Sequence, residues 1–161
     1  MENMNLAQAL PDLVKGLPAA FVTLVIGLIA AGIAYRQYRI ARAKFKLDLF
    51  EKRHAVFLET WAFISKFFDP NWFDGRDIMV FRQHVANARF LFGPEIARFV
   101  EVVEKKALTR GDAYIAVRKA STEDERIAAT KILNGTTEWA QTEARAITGR
   151  FAPYLDLSKW R

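Results

Sequence analysis

The feature that most constrains this chain is a run of residues without a charged side chain, Gly16 to Tyr35, followed at once by five basic residues: Arg36, Arg39, Arg42, Lys44 and Lys46. Three objects present such a pattern: a secretory signal, the core helix of a soluble protein, and a membrane span with a charged anchor on one side. A secretory signal opens with a basic region and carries an apolar core of about 7 to 15 residues. Here the preceding segment holds Glu2, Asp12 and Lys15 and is slightly acidic, and the run is longer than such a core, although Gly32 and Ala34 offer small residues for a cleavage reading. A soluble amphipathic helix keeps one polar face, whereas residues 17–34 are apolar all round, with Thr23 the one side chain that carries a hydroxyl. At 1.5 Å per residue, about 20 residues cover roughly 30 Å of hydrocarbon. The sequence therefore predicts one transmembrane helix over residues 16–35.

Flanking charge sets its direction, because Lys and Arg beside a span are retained on the cytoplasmic side. The five basic residues after the span outweigh Lys15 before it, so residues 1–15 are expected to form a short extracytoplasmic segment and residues 36–161 a cytoplasmic domain. Tyr35 and Tyr38 fall at headgroup level, where aromatic rings settle. Pro18 suits the first turn of the helix, where its missing N–H is of no consequence. The stretch NLAQALPDLVKG before it reads as a short amphipathic segment on the outer surface.

The charge balance agrees once it is divided by region. The chain carries a formal net charge of +6 from 24 basic and 18 acidic residues. Residues 36–66 hold eight basic and three acidic side chains, and residues 67–161 are close to balance. The excess belongs to the membrane boundary, where anionic lipid attracts each Lys or Arg by about 1 kcal/mol. A nucleic-acid groove would instead place basic residues and stacking aromatics on the folded domain, so membrane lipids with anionic headgroups are the expected partners and nucleic acid is not. The chain has no Cys, which fits a reducing compartment and excludes disulfide frameworks and Cys-based zinc sites.

Everything after the span reads as helix. Between Ile33 and Asp69 there is neither Gly nor Pro, the strongest local breakers, so the membrane helix is expected to continue into the cytosol. Ile40, Ala43, Leu47, Phe50, His54, Phe57, Trp61, Ile64 and Phe68 step by three and four as a heptad seam. Leu49, Val56 and Phe63 run beside it, making the apolar face broader than a two-stranded coil needs. Asp69-Pro70 and Asp74-Gly75 are turn signals, after which Asp77 is a candidate cap for a helix carrying Ile78, Phe81, Val85, Ala88 and Phe92. Gly93-Pro94-Glu95 stops that helix and starts the next. The third helix holds Ile96, Phe99, Val103 and Ala107, with Gly111 a candidate interruption. Ser121 to Glu125 caps a last helix through Ile127, Ile132, Trp139 and Ile147, with Asn134-Gly135 a candidate kink. The predicted fold is all-α: one N-terminal transmembrane helix continuing into a cytoplasmic four-helix bundle.

The blocks YRQYRIARAKFKLDLFEKRHAVF, ARFLFGPEIARFV and RFAPYLDLSKW, together with the span, resemble a family of small bacterial single-pass membrane proteins with a cytoplasmic helical domain, most of them uncharacterised. The resemblance implies an architecture and a bacterial inner-membrane location, and no catalytic residue. More loosely, a span feeding a small helical domain is similar to the accessory membrane proteins of type VI-B CRISPR systems, which look like divergent HEPN domains. HEPN ribonucleases place an Arg a few residues before a His. Here Arg82 is separated from His84 by a single residue, Arg53 is adjacent to His54, and Arg76 and Arg42 lie too far upstream, so neither histidine has that spacing.

No other chemistry-bearing pattern stands out. His54 sits on the seam and reads as a packed histidine. His84 has no second His or Cys at ligand spacing, and neither a Gly-rich phosphate loop nor a nucleophile elbow is present. No enzyme activity, metal or cofactor is expected. Within the span, Ala19, Thr23, Gly27 and Ala31 recur every four residues, a stripe of small side chains that lets helices approach closely in lipid. A homo-oligomeric membrane effector or scaffold is the reading that uses most of these features. A divergent HEPN-like RNA-binding domain at the membrane, or a monomeric anchor recruiting a cytosolic partner, are the alternatives.

Overall fold

The computed structural model describes residues 6–69 and 71–156, with side chains from residue 21 onward. Among the described residues the chain is all-α and has no strand. It comprises α1 (Leu6–Ser65), closing in a 3-10 turn (Lys66–Phe68), then α2 (Gly75–Val85), the single turn α3 (Ala88–Leu91), α4 (Pro94–Lys119) and α5 (Glu123–Leu155). The contacts divide the chain into two units, Met1–Phe45 and Lys46–Arg161.

The first unit is a length of α1. The helix begins at Leu6, ahead of the first turn expected at Pro18, so Pro11 and Pro18 both lie within it. Residues 6–10, LAQAL, are strong helix formers, which explains a start upstream of both prolines. Every side chain from Phe21 to Phe45 is exposed. This helix is long and apolar enough to cross a membrane, and none of its apolar window is buried.

In the second unit α1 runs without a breaker until Asp69, which takes φ −82° and ψ 115°, the extended geometry that a following proline imposes. The cap of α2 is Asp74 rather than Asp77: its carboxylate accepts the backbone N–H of Arg76 at 2.8 Å. Asp77 lies in the first turn of α2, and it accepts from Lys66 Nζ at 2.7 Å and Trp72 Nε1 at 2.8 Å. The helix expected to run from there to Phe92 breaks after Val85. Asn87, whose side chain competes with helical backbone bonds, sits at φ −84° and ψ 0° between α2 and α3, yet Val85, Ala88 and Phe92 all still reach the core.

Gly93 takes φ 158° and ψ −178°, a region open essentially to glycine, and Pro94 then opens α4. Gly111 does not interrupt α4. It makes room: a Cβ there would lie 1.9 Å from the Phe73 ring, so the glycine admits the loop before α2 against the helix. Nor does Asn134-Gly135 interrupt the assigned helix α5, which starts at a capping box between Thr122 and Glu125.

Aromatic rings join the elements of this unit. Phe63 of α1 stacks on Phe81 of α2 with centroids 4.1 Å apart. Phe151 of α5 meets Phe57 of α1 at 5.5 Å, Phe92 at 5.2 Å and Phe99 of α4 at 6.4 Å. Each fully buried ring of this kind stabilises the fold by about 1.5–3 kcal/mol. The most extensive pairing is α4 against α5.

Candidate functional site

Helix α1 carries most of the residues singled out in the sequence, and the structure gives them different environments. Arg36, Arg39, Arg42 and Lys44 are exposed, and Lys46, the first residue of the second unit, is half-buried. Thr23, Gly27 and Ala31 are exposed, and a Cβ added at Gly27 would meet nothing within 4 Å. The side chain of Ala19 lies outside the described residues.

The heptad seam divides. Ile64 is fully buried and Phe57 packs against the core, while Ile40, Leu47 and Trp61 keep 68%, 51% and 48% of their surface exposed. Phe50 and His54 are half-buried. The His54 ring lies nearly parallel to Phe50 at 5.6 Å and tilts against Phe57 at 6.0 Å. The face that enters the core runs through Val56, Thr60 and Phe63 of α1 and Phe67 of the 3-10 turn, with the buried Thr60 hydroxyl donating to the Val56 carbonyl at 2.7 Å. The described residues thus cover one flank of a broad apolar face and leave the other open.

His84 pairs with Glu59 at 3.1 Å, tying α2 to α1 at the surface. Among the described residues no group of three His, Asp or Glu side chains could hold a metal ion. A groove of about 860 Å³ lies between the end of α4 and the first half of α5. Its lining includes Glu123, Arg126, Lys131 and Glu138, which are of both signs, and Arg126 is already paired with Glu123. It offers no convergent charge for a defined ligand.

Two arginines escape the sequence reading. Arg53 donates from Nε to the Leu91 carbonyl at 2.7 Å and from Nη1 to the Tyr154 carbonyl at 3.2 Å, joining α1 to the ends of α3 and α5. Burial lowers its pKa, an effect that Tyr154 opposes. Arg110 is 1% exposed. It donates to the Asp69 carbonyl at 2.8 Å, to Thr137 Oγ1 at 2.9 Å, and to Thr136 Oγ1 and the Leu133 carbonyl at 3.3 Å. Among the described residues its Nε has no hydrogen-bond partner, and burial pulls its pKa down while Asp69 pushes it up. A signal for it existed: Val100, Val103, Ala107 and Arg110 step by three and four, so Arg110 occupies an apolar position of α4.

These contacts join the helices of the second unit. Comparison with protein-family models, with curated proteins and with solved structures finds no match to this chain.

Proposed function

We propose that this is a non-enzymatic protein held in a bacterial inner membrane by α1 and acting as a homo-oligomer, either a pore-like or membrane-perturbing effector or a scaffold in stress or phage defence. One observation carries the reading: the residues from Phe21 to Tyr35 are uncharged, largely apolar and exposed throughout, and the basic cluster follows immediately. Each square ångström of apolar surface left in water costs about 25 cal/mol, and a bilayer removes that cost along the whole stretch. In this reading the N-terminus lies outside, Arg36 to Lys46 rest on anionic headgroups, and the helices of the second unit form a four-helix bundle in the cytosol.

Assembly is supported by the small side chains at Thr23, Gly27 and Ala31, since packing rather than the hydrophobic effect holds helices together in lipid. A charge-free span provides no ionised lining, so any conduction path is wide or built mainly from the cytosolic helices. The defence setting comes from the resemblance to type VI-B accessory proteins. His54 stacked on Phe50 and tilted against Phe57, and His84 facing a lone carboxylate, favour packing roles over catalysis.

Chemical crosslinking in native membranes tests the reading. The chain is expected to resist alkaline extraction and to give a ladder of multiples, weakened in Gly27→Leu, which preserves hydrophobicity but holds backbones apart. Extraction by alkali would remove the membrane assignment, and a monomer alone would favour the recruiting anchor.

A further inference from the structure

We propose that the open flank of α1 in the second unit, centred on Leu47, His54 and Trp61 with Leu58 beside them, is the surface on which a second copy of this chain packs, parallel and in register. The inference rests on the reading of the chain as a membrane-anchored oligomer, and it names the contact.

Helix α1 has two apolar flanks, and among the described residues its own chain covers one. Val56, Phe63, Ile64 and Phe67 enter the core, while Leu47, Leu58 and Trp61 remain about half exposed. The open flank has the spacing of a helix pair: Ile40, Leu47, His54, Trp61 and Phe68 recur every seven residues. An isolated straight helix drifts off such a repeat by about 20° per heptad, and a second helix wound beside it removes the drift. Stacking against Phe50 holds the ring of His54 in the middle of the line.

Area and anchoring identify the occupant. Half-exposed side chains of this size offer on the order of 100 Å² each, so the flank presents about 400 Å², against about 800 Å² per partner in a stable interface between freely diffusing proteins. A soluble partner would be held weakly by so small a patch. A second copy anchored in the same bilayer is already confined beside the first, which raises its effective concentration without added contact area. Its span sets the same height above the membrane, so Leu47 meets Leu47 and His54 meets His54. The bordering charges, Asp48 and Glu51 with Lys46, are of both signs and do not repel a copy as a one-signed edge would.

The absence of Cys from the chain makes the test clean. Single substitutions Leu47→Cys, His54→Cys and Trp61→Cys, each in the full-length protein, are oxidised in native membranes beside Lys52→Cys on the opposite side of the helix and Gly27→Cys in the span. A disulfide needs Cβ atoms about 3.5–4.5 Å apart, so same-residue bridges form only where a position faces its own copy. The three flank variants are expected to give at least fivefold more covalent dimer than Lys52→Cys. Dimer at Gly27→Cys with none on the flank would overturn this surface and leave the oligomer standing. Equal yields at His54→Cys and Lys52→Cys would mean random collision and would also overturn it. No dimer at any position, with monomer alone by crosslinking, would remove both readings.

Discussion

At the scale of single residues the most consequential side chain is Arg110, a buried cation answered by carbonyls and hydroxyls with no carboxylate bonded to it. It ties the end of α1, through Asp69, to α5, through Thr137, and it fills space below the Phe67 ring at 5.9 Å. Burying a charge without an ion-pair partner is costly, so its volume should matter more than its charge. Arg110→Ala is expected to destabilise the full chain in detergent by about 3–5 kcal/mol, as large-to-small changes in cores do. Arg110→Met, which keeps the volume, should cost less than about 2 kcal/mol. Equal losses in thermal melts of the two variants would assign the stability to the guanidinium hydrogen bonds instead. Asp77 gives a pH-dependent counterpart. Hydrogen bonds from Lys66 and then Trp72 hold its carboxyl below the ordinary value. A depressed folded pKa means stability that is fully present above the unfolded value near 3.9 and is lost as pH falls through the folded value. The pair is partly exposed, so the effect stays below about 1 kcal/mol. Asp77→Asn should remove it, and acid melts of the two proteins should converge once the Asp77 carboxyl of the unaltered protein is neutral.

At the scale of elements, the sequence reading was strongest where periodicity alone decides. The apolar steps of three and four that place Ile78, Phe81 and Val85, and then Ile96, Phe99 and Val103, on buried faces are local, and so is the capping box of Thr122 and Glu125. What was not legible is non-local. Gly111 reads as a breaker until Phe73 is seen against it, and although its spacing puts Arg110 at an apolar position of α4, the acceptors that let a cation sit there lie 23 to 41 positions away in the chain. The split of the α1 seam belongs to the same class: Phe57 and Trp61 are equivalent in the pattern, and only the position of Phe151 and its neighbours decides which is covered. The cap itself can be tested. Thr122→Ala leaves the N–H of Glu125 without its side-chain acceptor and is expected to cost about 1 kcal/mol, while Thr122→Asp should retain most of the stability. Unchanged melting in Thr122→Ala would mean that packing of α4 on α5 fixes the helix start unaided.

At the scale of the whole molecule, the proposed function depends on the second unit lying on the cytoplasmic side of the membrane, and in the proposed topology that is decided by a few charges near the span. Arg36, Arg39, Arg42, Lys44 and Lys46 follow it, while Glu2, Asp12 and Lys15 precede it. Basic residues close to a span are costly to translocate, and acidic ones contribute little to the choice. A reporter fused after Arg161 is therefore expected to read as cytoplasmic in the unaltered protein. Changing all five basic residues to Gln leaves Lys15 as the nearest basic residue on the other flank, with Lys52 and Arg53 as the first on the second unit. That variant should give a mixed population, and adding Glu2→Lys with Asp12→Lys should move a further fraction to the inverted form. Side-specific labelling of a single Cys placed near either end measures the fractions directly. The helical core should survive the five changes, because Arg36, Arg39, Arg42 and Lys44 are exposed and Lys46 lies at the edge of the folded unit, so a shift in labelling reports insertion rather than unfolding. An external C-terminus in the unaltered chain would reverse the topology, and with it the assignment of the basic cluster to cytoplasmic headgroups.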